Sequence, residues 1–298
     1  MKSVFLDCGV INPGDVSWGP IENVSELTYY ADTARNQIVK RLEGAEAVFI
    51  DSLVIDREIM EKCPGLKFIG AAATGFNNID LQAASDLGIA VANVPAYSTD
   101  AVAQHAISLL LAVTNNIETF NRKVSEGQWD GCKGIPVTLL AGKSIGIIGY
   151  GNIGRKTAQI AEALGMTVNI YSRDKESAIN SDVVSLHCPL TPENTGIIDK
   201  AFISRMKDGA ILINTARGAL LDEEAVAEAL KSGKLSGAGL DVLAQEPPSE
   251  DNPLIGLDNC LVTPHIAFTP KETRQSVIDI CGANLESFIK GEKLNRLV

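Results

Sequence analysis

The residues whose types and spacing most directly suggest chemistry lie in the run Gly149-Tyr150-Gly151-Asn152-Ile153-Gly154. A β-rich stretch, Lys143 to Ile148, leads into this G-x-G-x-x-G pattern, and an apolar-periodic segment closed by Gly165 follows it. Glycines at a strand-to-helix handover suit the binding of a dinucleotide pyrophosphate. Gly149 makes the tight turn, Gly151 lets the backbone approach the phosphates, and Gly154 lets the helix pack against its strand. Asn152 and Ile153 then open a helix whose N-terminus faces the phosphates with unpaired N–H groups. The alternative reading is a glycine-rich turn such as any α/β protein contains. Six cysteines, Cys8, Cys63, Cys132, Cys188, Cys260 and Cys281, are scattered without a C-x-x-C pair. That spacing predicts reduced thiols in core positions and no metal site.

A scaffold must position these residues, and length and composition bound it. At 298 residues with 45% hydrophobic content, the chain predicts two domains of similar size. No apolar run approaches the ~18 residues that span a membrane. The N-terminus reaches Asp7 too soon for a signal peptide, so the expectation is a cytoplasmic protein. The formal net charge of -11 argues against nucleic-acid binding, which depends on clustered Lys and Arg. Any anionic substrate must therefore be captured locally.

In chain order, strands are predicted at Val4 to Asp7, Ala47 to Ile50, Leu66 to Gly70 and Ile89 to Val94, with helices from about Thr33 to Glu43 and around Asp56 to Cys63. Strands alternating with helices imply a parallel sheet, and continuous apolar runs imply that both its faces are covered. One long helix is predicted from Ser98 to about Ser125, with Ala106, Leu109, Leu110 and Val113 on one side. Ile107, Leu111 and Ile117 lie elsewhere on it, to pack a neighbouring subunit or to be buried within the chain. After the glycine run come β-runs at Thr167 to Tyr171, Asp182 to His187, Ala210 to Asn214, Gly237 to Val242 and Leu261 to Thr263, with an amphipathic helix over Asp222 to Lys231. This half predicts a doubly wound sheet. The last helix, Pro270 to about Lys290, is long enough to return to the first domain, which makes that domain discontinuous.

Thr74-Gly75-Phe76-Asn77-Asn78-Ile79-Asp80, Asn93-Val94-Pro95-Ala96-Tyr97, Val102-Ala103-Gln104-His105, the glycine run, Ser181 to Thr191, Asn214-Thr215-Ala216-Arg217-Gly218, Gly239-Leu240-Asp241-Val242, Gln245-Glu246-Pro247-Pro248 and Thr263-Pro264-His265-Ile266-Ala267 occur in this order over nearly the whole chain. Together they resemble the D-isomer-specific 2-hydroxyacid dehydrogenases, and Pro95 to Asp100 with Val102 to His105 looks most like the glycerate dehydrogenase (hydroxypyruvate reductase) branch. The resemblance implies an α/β fold of two open parallel-sheet domains. A Rossmann-type NAD(P)-binding domain, residues 96–270, is inserted in a discontinuous flavodoxin-like substrate-binding domain, residues 1–95 and 271–298. A cleft closing between them is expected, with hinges near Val94 to Thr99 and at the start of the last helix.

The implied activity is hydride transfer between a nicotinamide cofactor and C2 of a small D-2-hydroxy or 2-oxo acid, with D-glycerate/hydroxypyruvate or glyoxylate favoured. Such a reduction needs a proton donor titrating near neutrality. Of three histidines, His105 lies within the long helix, as structural histidines do, and His187 ends a buried strand beside Cys188 and Pro189, near the cofactor. His265 follows a strand in a Pro-containing loop, at the carboxyl edge where open α/β sheets bind ligands. The family motif assigns it as the acid. It also makes Glu246 the carboxylate that bonds His265, and Arg217 the fork that holds the substrate carboxylate and polarises its carbonyl. Read on their own, Glu246 is a solvated loop acid and Arg217 one half of a surface ion pair. By the same resemblance the N–H groups of Thr74 and Gly75 complete the carboxylate grip, and Asp241 receives the nicotinamide amide. Thr99, His187, Cys188, Pro189, Thr215, Ala216, His265 and Ala267 are the further implied cofactor contacts. A homodimer through the Ser98 to Ser125 helix is expected.

Two departures from the family stand out. NAD-using members usually end the second strand with an acid that binds the ribose 2′-hydroxyl, but here Tyr171 is followed by Ser172, Arg173 and Asp174. Ser172 and Arg173 suit a 2′-phosphate, which predicts NADPH used at least as well as NADH. The alternatives are an Arg173 paired with Asp174 or Glu176, or an Asp174 that replaces the missing acid. The second departure is length, because only Lys175 to Asn180 separates this end from Ser181. A parallel crossover ordinarily takes more chain, so residues missing from this link are expected rather than a true loss of a β-α unit. A different class of function is also open, that of a corepressor-like scaffold sensing NAD(H). The chain ends soon after its last helix, which predicts no appended interaction domain and favours the enzyme.

Overall fold

A computed structural model describes residues 1–129 and 131–298. The chain divides into two compact units, one of Met1–Ser98 with Thr269–Val298 and one of Thr99–Phe268. The first unit holds strands β1 (Lys2–Phe5), β2 (Glu26–Tyr29), β3 (Ala47–Ile50), β4 (Phe68–Ala71) and β5 (Ala90–Ala92). They form a parallel sheet in the order β2-β1-β3-β4-β5, the flavodoxin-like arrangement. β3, β4 and β5 are buried along their whole length, as a sheet covered on both faces requires. β2 was not legible as a strand: its residues Glu-Leu-Thr-Tyr sit at the sheet edge, mostly exposed, and carry no apolar run. Trp18 holds this edge by stacking on Tyr29 at 4.9 Å and meeting Phe5 edge-on at 5.6 Å. The expected helix from Thr33 to Glu43 shrinks to a 3-10 turn at Arg35–Gln37 and one helical turn at Ile38–Arg41.

The last helix, Lys271–Ile289, belongs to this first unit. Gly282 lets it lie against the backbone of Pro20, since a Cβ there would stand 2.4 Å from the Pro20 carbonyl oxygen. Arg274, only 7% exposed, forks onto Asp15 at 2.6 and 2.8 Å and ties the start of the helix down.

The second unit contains β6 (Ser144–Ile148), β7 (Thr167–Ile170), β8 (Val183–Leu186), β9 (Ala210–Asn214), β10 (Leu235–Leu240) and β11 (Cys260–Val262). Every pairing is parallel, and the order is β11-β10-β9-β8-β6-β7. The chain reverses direction across the sheet beside β6, the switch point at which such sheets bind ligands. The link from β7 to β8 runs through the short helix Lys175–Ile179, which carries the chain past β6. It fits because β6 offers Gly146, where a Cβ would stand 2.0 Å from the Ala178 carbonyl oxygen. β7 is therefore the last strand on its side of the sheet.

The long helix expected from Ser98 to Ser125 is broken into Thr99–Asn115 and Ile117–Ser125. Asn116 adopts a left-handed backbone, φ 49°, and its side chain donates to the Pro136 carbonyl at 2.6 Å. Asparagine tolerates that conformation better than most residues, which is why the break falls there. Ile107 is buried within its own unit, whereas Ile117 is 58% exposed. Among the cysteines, Cys8, Cys63 and Cys281 are buried and free, but Cys132 is exposed, against the core reading of all six. No helix among the described residues is long and apolar enough to cross a membrane.

Candidate active site

At the glycine run β6 ends and Gly149 turns the chain with φ 98°, a conformation that favours glycine. A Cβ on Gly149 would stand 2.4 Å from the Cys188 backbone nitrogen, so the turn lies directly against the end of β8. Gly154 makes the next close approach: its Cβ would meet the Gly149 carbonyl oxygen at 2.0 Å. Gly151 differs, because nothing lies within 4 Å of its would-be Cβ. It precedes the helix Asn152–Ala163 and gives that helix no side-chain cap. The first-turn N–H groups, including those of Asn152 and Ile153, thus follow an uncapped start beside a bare stretch of backbone, which fits a pyrophosphate.

Two further atoms fit a cofactor. His187 Nδ1 and Thr215 Oγ1 are buried without a hydrogen-bond partner, at the ends of the neighbouring strands β8 and β9. A buried polar atom left unpaired costs about 1–3 kcal/mol, and a polar ligand group or a water removes that cost. The other His187 ring nitrogen lies 2.9 Å from the Ser185 hydroxyl. Burial pushes the His187 imidazole down to about 4, so the ring is neutral at pH 7 and unsuited to donate the reaction's proton. Cys188 is half-buried and its thiol is pushed up by that burial, while Pro189 is exposed. Ala216 is half-buried, Ala267 is buried, and Thr99 begins its helix half-buried.

Beyond β7, Ser172 and Arg173 are exposed. Asp174 caps the short helix, accepting from the Ser177 N–H at 3.1 Å and the Ser177 hydroxyl at 2.6 Å. Glu176 pairs with Arg205 rather than with Arg173. The Arg173 guanidinium stands 5.4 Å from the centroid of the Tyr150 ring, in the glycine run itself. Arg155 approaches the same ring at 5.6 Å, a second cation that motif reasoning passed over.

The acid–base group forms where the loops after β9, β10 and β11 converge. Asn214 ends β9 and closes its loop on itself, accepting from the Ala216 N–H at 2.9 Å and donating to the Arg217 carbonyl at 2.9 Å. Gly218 brings this loop against Leu243, since a Cβ there would stand 1.8 Å from the Leu243 carbonyl carbon. Arg217 is exposed, with its guanidinium donating to the Ala216 carbonyl at 2.7 Å. Glu246 Oε1 accepts from the Leu243 N–H at 3.0 Å, and Oε2 lies 2.7 Å from His265 Nδ1. Arg217, Glu246 and His265 line one cleft of about 240 Å³ with Leu190, Gly218 and Val242.

The electrostatics of the pair are reciprocal. Its bond to Glu246 holds the His265 imidazole above the usual histidine value, against burial and the opposing charge of Arg217. Burial alone would push the Glu246 carboxyl up, but the bonds from His265 and the Leu243 N–H outweigh it and hold it below the usual range. The ring can therefore carry a proton on Nε2 while Nδ1 faces the carboxylate.

His265 has a left-handed backbone, φ 54°, and Asp241 fixes it there. The Asp241 backbone carbonyl accepts from the His265 N–H at 2.8 Å. Its carboxylate, on a residue only 1% exposed, accepts from the N–H groups of Ile266 and Ala267, each at 2.9 Å. The Thr263 hydroxyl donates to it at 2.5 Å. Asp241 is thus first an anchor for the loop that carries the acid, a role sequence reasoning did not assign. Thr74 and Gly75 lie in the first unit just past β4, where the Thr74 hydroxyl donates to the Val94 carbonyl at 3.0 Å.

Comparison with known proteins gives the family of the chain. The family described as D-isomer specific 2-hydroxyacid dehydrogenase, NAD binding domain, matches residues 107–267. A hydroxypyruvate reductase of Blautia hydrogenotrophica is 43% identical over 318 residues, covering 99% of this chain and 99% of that protein. A glycerate dehydrogenase of Methylorubrum extorquens is 39% identical over 310 residues, covering 99% and 98%. The solved apo-structure of D-lactate dehydrogenase from Escherichia coli matches with a TM-score of 0.87 at 32% identity, covering 100% of both chains. Fold and site together define the class, an oxidoreductase that acts on CH–OH groups with a nicotinamide cofactor. Within that class the chain belongs to the D-isomer-specific 2-hydroxyacid dehydrogenases.

Proposed function

We propose that the protein reduces hydroxypyruvate to D-glycerate, with glyoxylate as a second substrate. The observation that carries the chemistry is the 2.7 Å contact between His265 and Glu246 in the cleft that Arg217 also lines, and the similarity to a hydroxypyruvate reductase and a glycerate dehydrogenase supports the substrate. Among the cleft-lining residues Arg217 is the permanent cation, which suits one carboxylate.

In this mechanism Arg217 grips the substrate carboxylate and draws electron density from the adjacent carbonyl. The bound nicotinamide supplies the hydride that adds to C2. His265 donates its Nε2 proton to the oxygen as negative charge develops there, and Glu246 holds the ring and stabilises its charged form. Oxidation of the D-hydroxy acid runs the same path backwards, with neutral His265 taking the hydroxyl proton. Gly149, Gly151, Asn152, Ile153 and Gly154 would hold the pyrophosphate. His187, Cys188, Pro189, Thr215, Ala216, Asp241 and Ala267 would line the nicotinamide end, with Thr99 beside them.

For the cofactor, Arg173 beside Tyr150 supports NADPH used at least as well as NADH, with Ser172 as a hydroxyl donor to the 2′-phosphate. Arg155 adds positive charge to the same place. Initial rates with a panel of 2-oxo acids and both reduced cofactors test the reading. Hydroxypyruvate is expected to give the highest kcat/KM, and Arg173→Ala to abolish the NADPH preference. A higher kcat/KM for pyruvate or 3-phosphohydroxypyruvate would refute the substrate. NADH used better, with no effect of Arg173→Ala, would refute the phosphate-reading role.

A further inference from the structure

His105 sits on the helix Thr99–Asn115, far in sequence from the acid–base pair and outside the cleft that the pair lines. Its Nε2 lies 2.9 Å from the Thr263 hydroxyl and 3.2 Å from Asp241 Oδ1. Thr263 donates its one hydroxyl proton to Asp241, so that oxygen accepts from His105, which fixes the proton of the histidine on Nε2. Three side chains therefore close a polar triangle beneath the loop that carries the acid. The same Asp241 holds the His265, Ile266 and Ala267 N–H groups.

A non-glycine residue at φ 54° persists only where its surroundings over-determine it, because that conformation costs about 1–3 kcal/mol. The determinants here are the bonds to Asp241. Asp241 in turn is a buried carboxylate whose orientation depends on its own donors. Thr263 and His105 supply the side-chain donors, and His105 alone reaches the triangle from a separate helix.

We propose that His105 is a positioning residue for the reaction, holding Thr263 and Asp241 so that His265 stays aligned with Glu246. The proposal rests on the reading of His265 as the acid. His105 exchanges no proton with substrate; it sets the geometry of the residue that does. Misplacing a reacting group by about 1 Å can cost on the order of a hundredfold in rate.

The test compares wild type, His105→Ala, His105→Gln and Thr263→Val. Glutamine places an amide N–H close to where His Nε2 stands, whereas alanine supplies no donor. Two readouts are taken: kcat and KM for hydroxypyruvate, and NMR titration of the His265 ring, assigned with His265→Ala. The titration does not depend on turnover, so failure of the substrate reading leaves it intact. The charged groups facing His265 are Glu246, Asp241 and Arg217, and none of these substitutions alters them. His105→Ala is expected to lower kcat roughly ten- to a hundredfold with KM changed little, and to move the His265 titration down towards an ordinary histidine. His105→Gln should recover most of both effects. Thr263→Val should mimic His105→Ala and combine with it less than additively, since both break one triangle. An unmoved His265 titration in both His105→Ala and Thr263→Val would overturn the proposal. So would a His105→Gln enzyme as impaired as His105→Ala.

Discussion

At the scale of single residues the account turns on one charge balance. Glu246 raises the His265 imidazole, so the protonated ring persists to higher pH than an ordinary histidine would allow. Reduction consumes that proton, and its rate is therefore lost as pH rises through the raised value. Glu246→Gln removes the anion and lets the ring fall back, so reduction should fade at lower pH than in wild type. Oxidation of D-glycerate needs the neutral ring and should extend to lower pH by the same substitution. Initial rates in both directions across pH check this, and unshifted profiles would detach Glu246 from the acid. The family motif singled out Arg217, Glu246 and His265, each in a distinctive local run, and the three line one cleft. The triangle beneath them was not legible. His105, Thr263 and Asp241 are distant in sequence and meet only once the helix Thr99–Asn115 packs across β9, β10 and β11.

At the scale of elements, glycine separates scaffold from site. A Cβ at Gly146 meets the Ala178 carbonyl oxygen at 2.0 Å, whereas one at Gly151 meets nothing within 4 Å. Gly146→Ala should therefore destabilise the second unit by about 1–3 kcal/mol, as overpacking does, read as a lower denaturant midpoint. Gly151→Ala should unfold like wild type but weaken NADPH binding by roughly tenfold, about 1.4 kcal/mol. Titration calorimetry measures the second effect, and wild-type affinity would show that no phosphate approaches this backbone. The strands of the second unit were readable because buried parallel strands are continuous apolar runs. β2 and the break at Asn116 were not, since the first is a polar edge and the second depends on a bond to Pro136 from outside the helix. The short β7–β8 link was legible only as a length. Chain length alone says that a crossover is cramped, and only packing shows that Gly146 makes room for it.

At the scale of the whole molecule, the segment after the helix break carries an unusual amount of exposed apolar surface. Ile117 and Val124, seven residues apart on one helix, are 58% and 51% exposed, and Trp129 and Leu139 reach 88% and 77%. Apolar surface of this extent favours a covering partner, and a second copy of the chain related by a two-fold axis is the expected one. Sedimentation should give a dimer at micromolar concentration, converted towards monomer by Ile117→Asp with Trp129→Ser. A wild-type monomer at that concentration would contradict it. The central claim, however, concerns the chemistry of one ring. The most direct test is the loss of NADPH absorbance with hydroxypyruvate, for wild type and for His265→Ala, with cofactor binding measured alongside. The account predicts turnover in wild type and a fall of about a hundredfold or more in the variant while NADPH binding survives. Wild-type turnover retained in His265→Ala would contradict it.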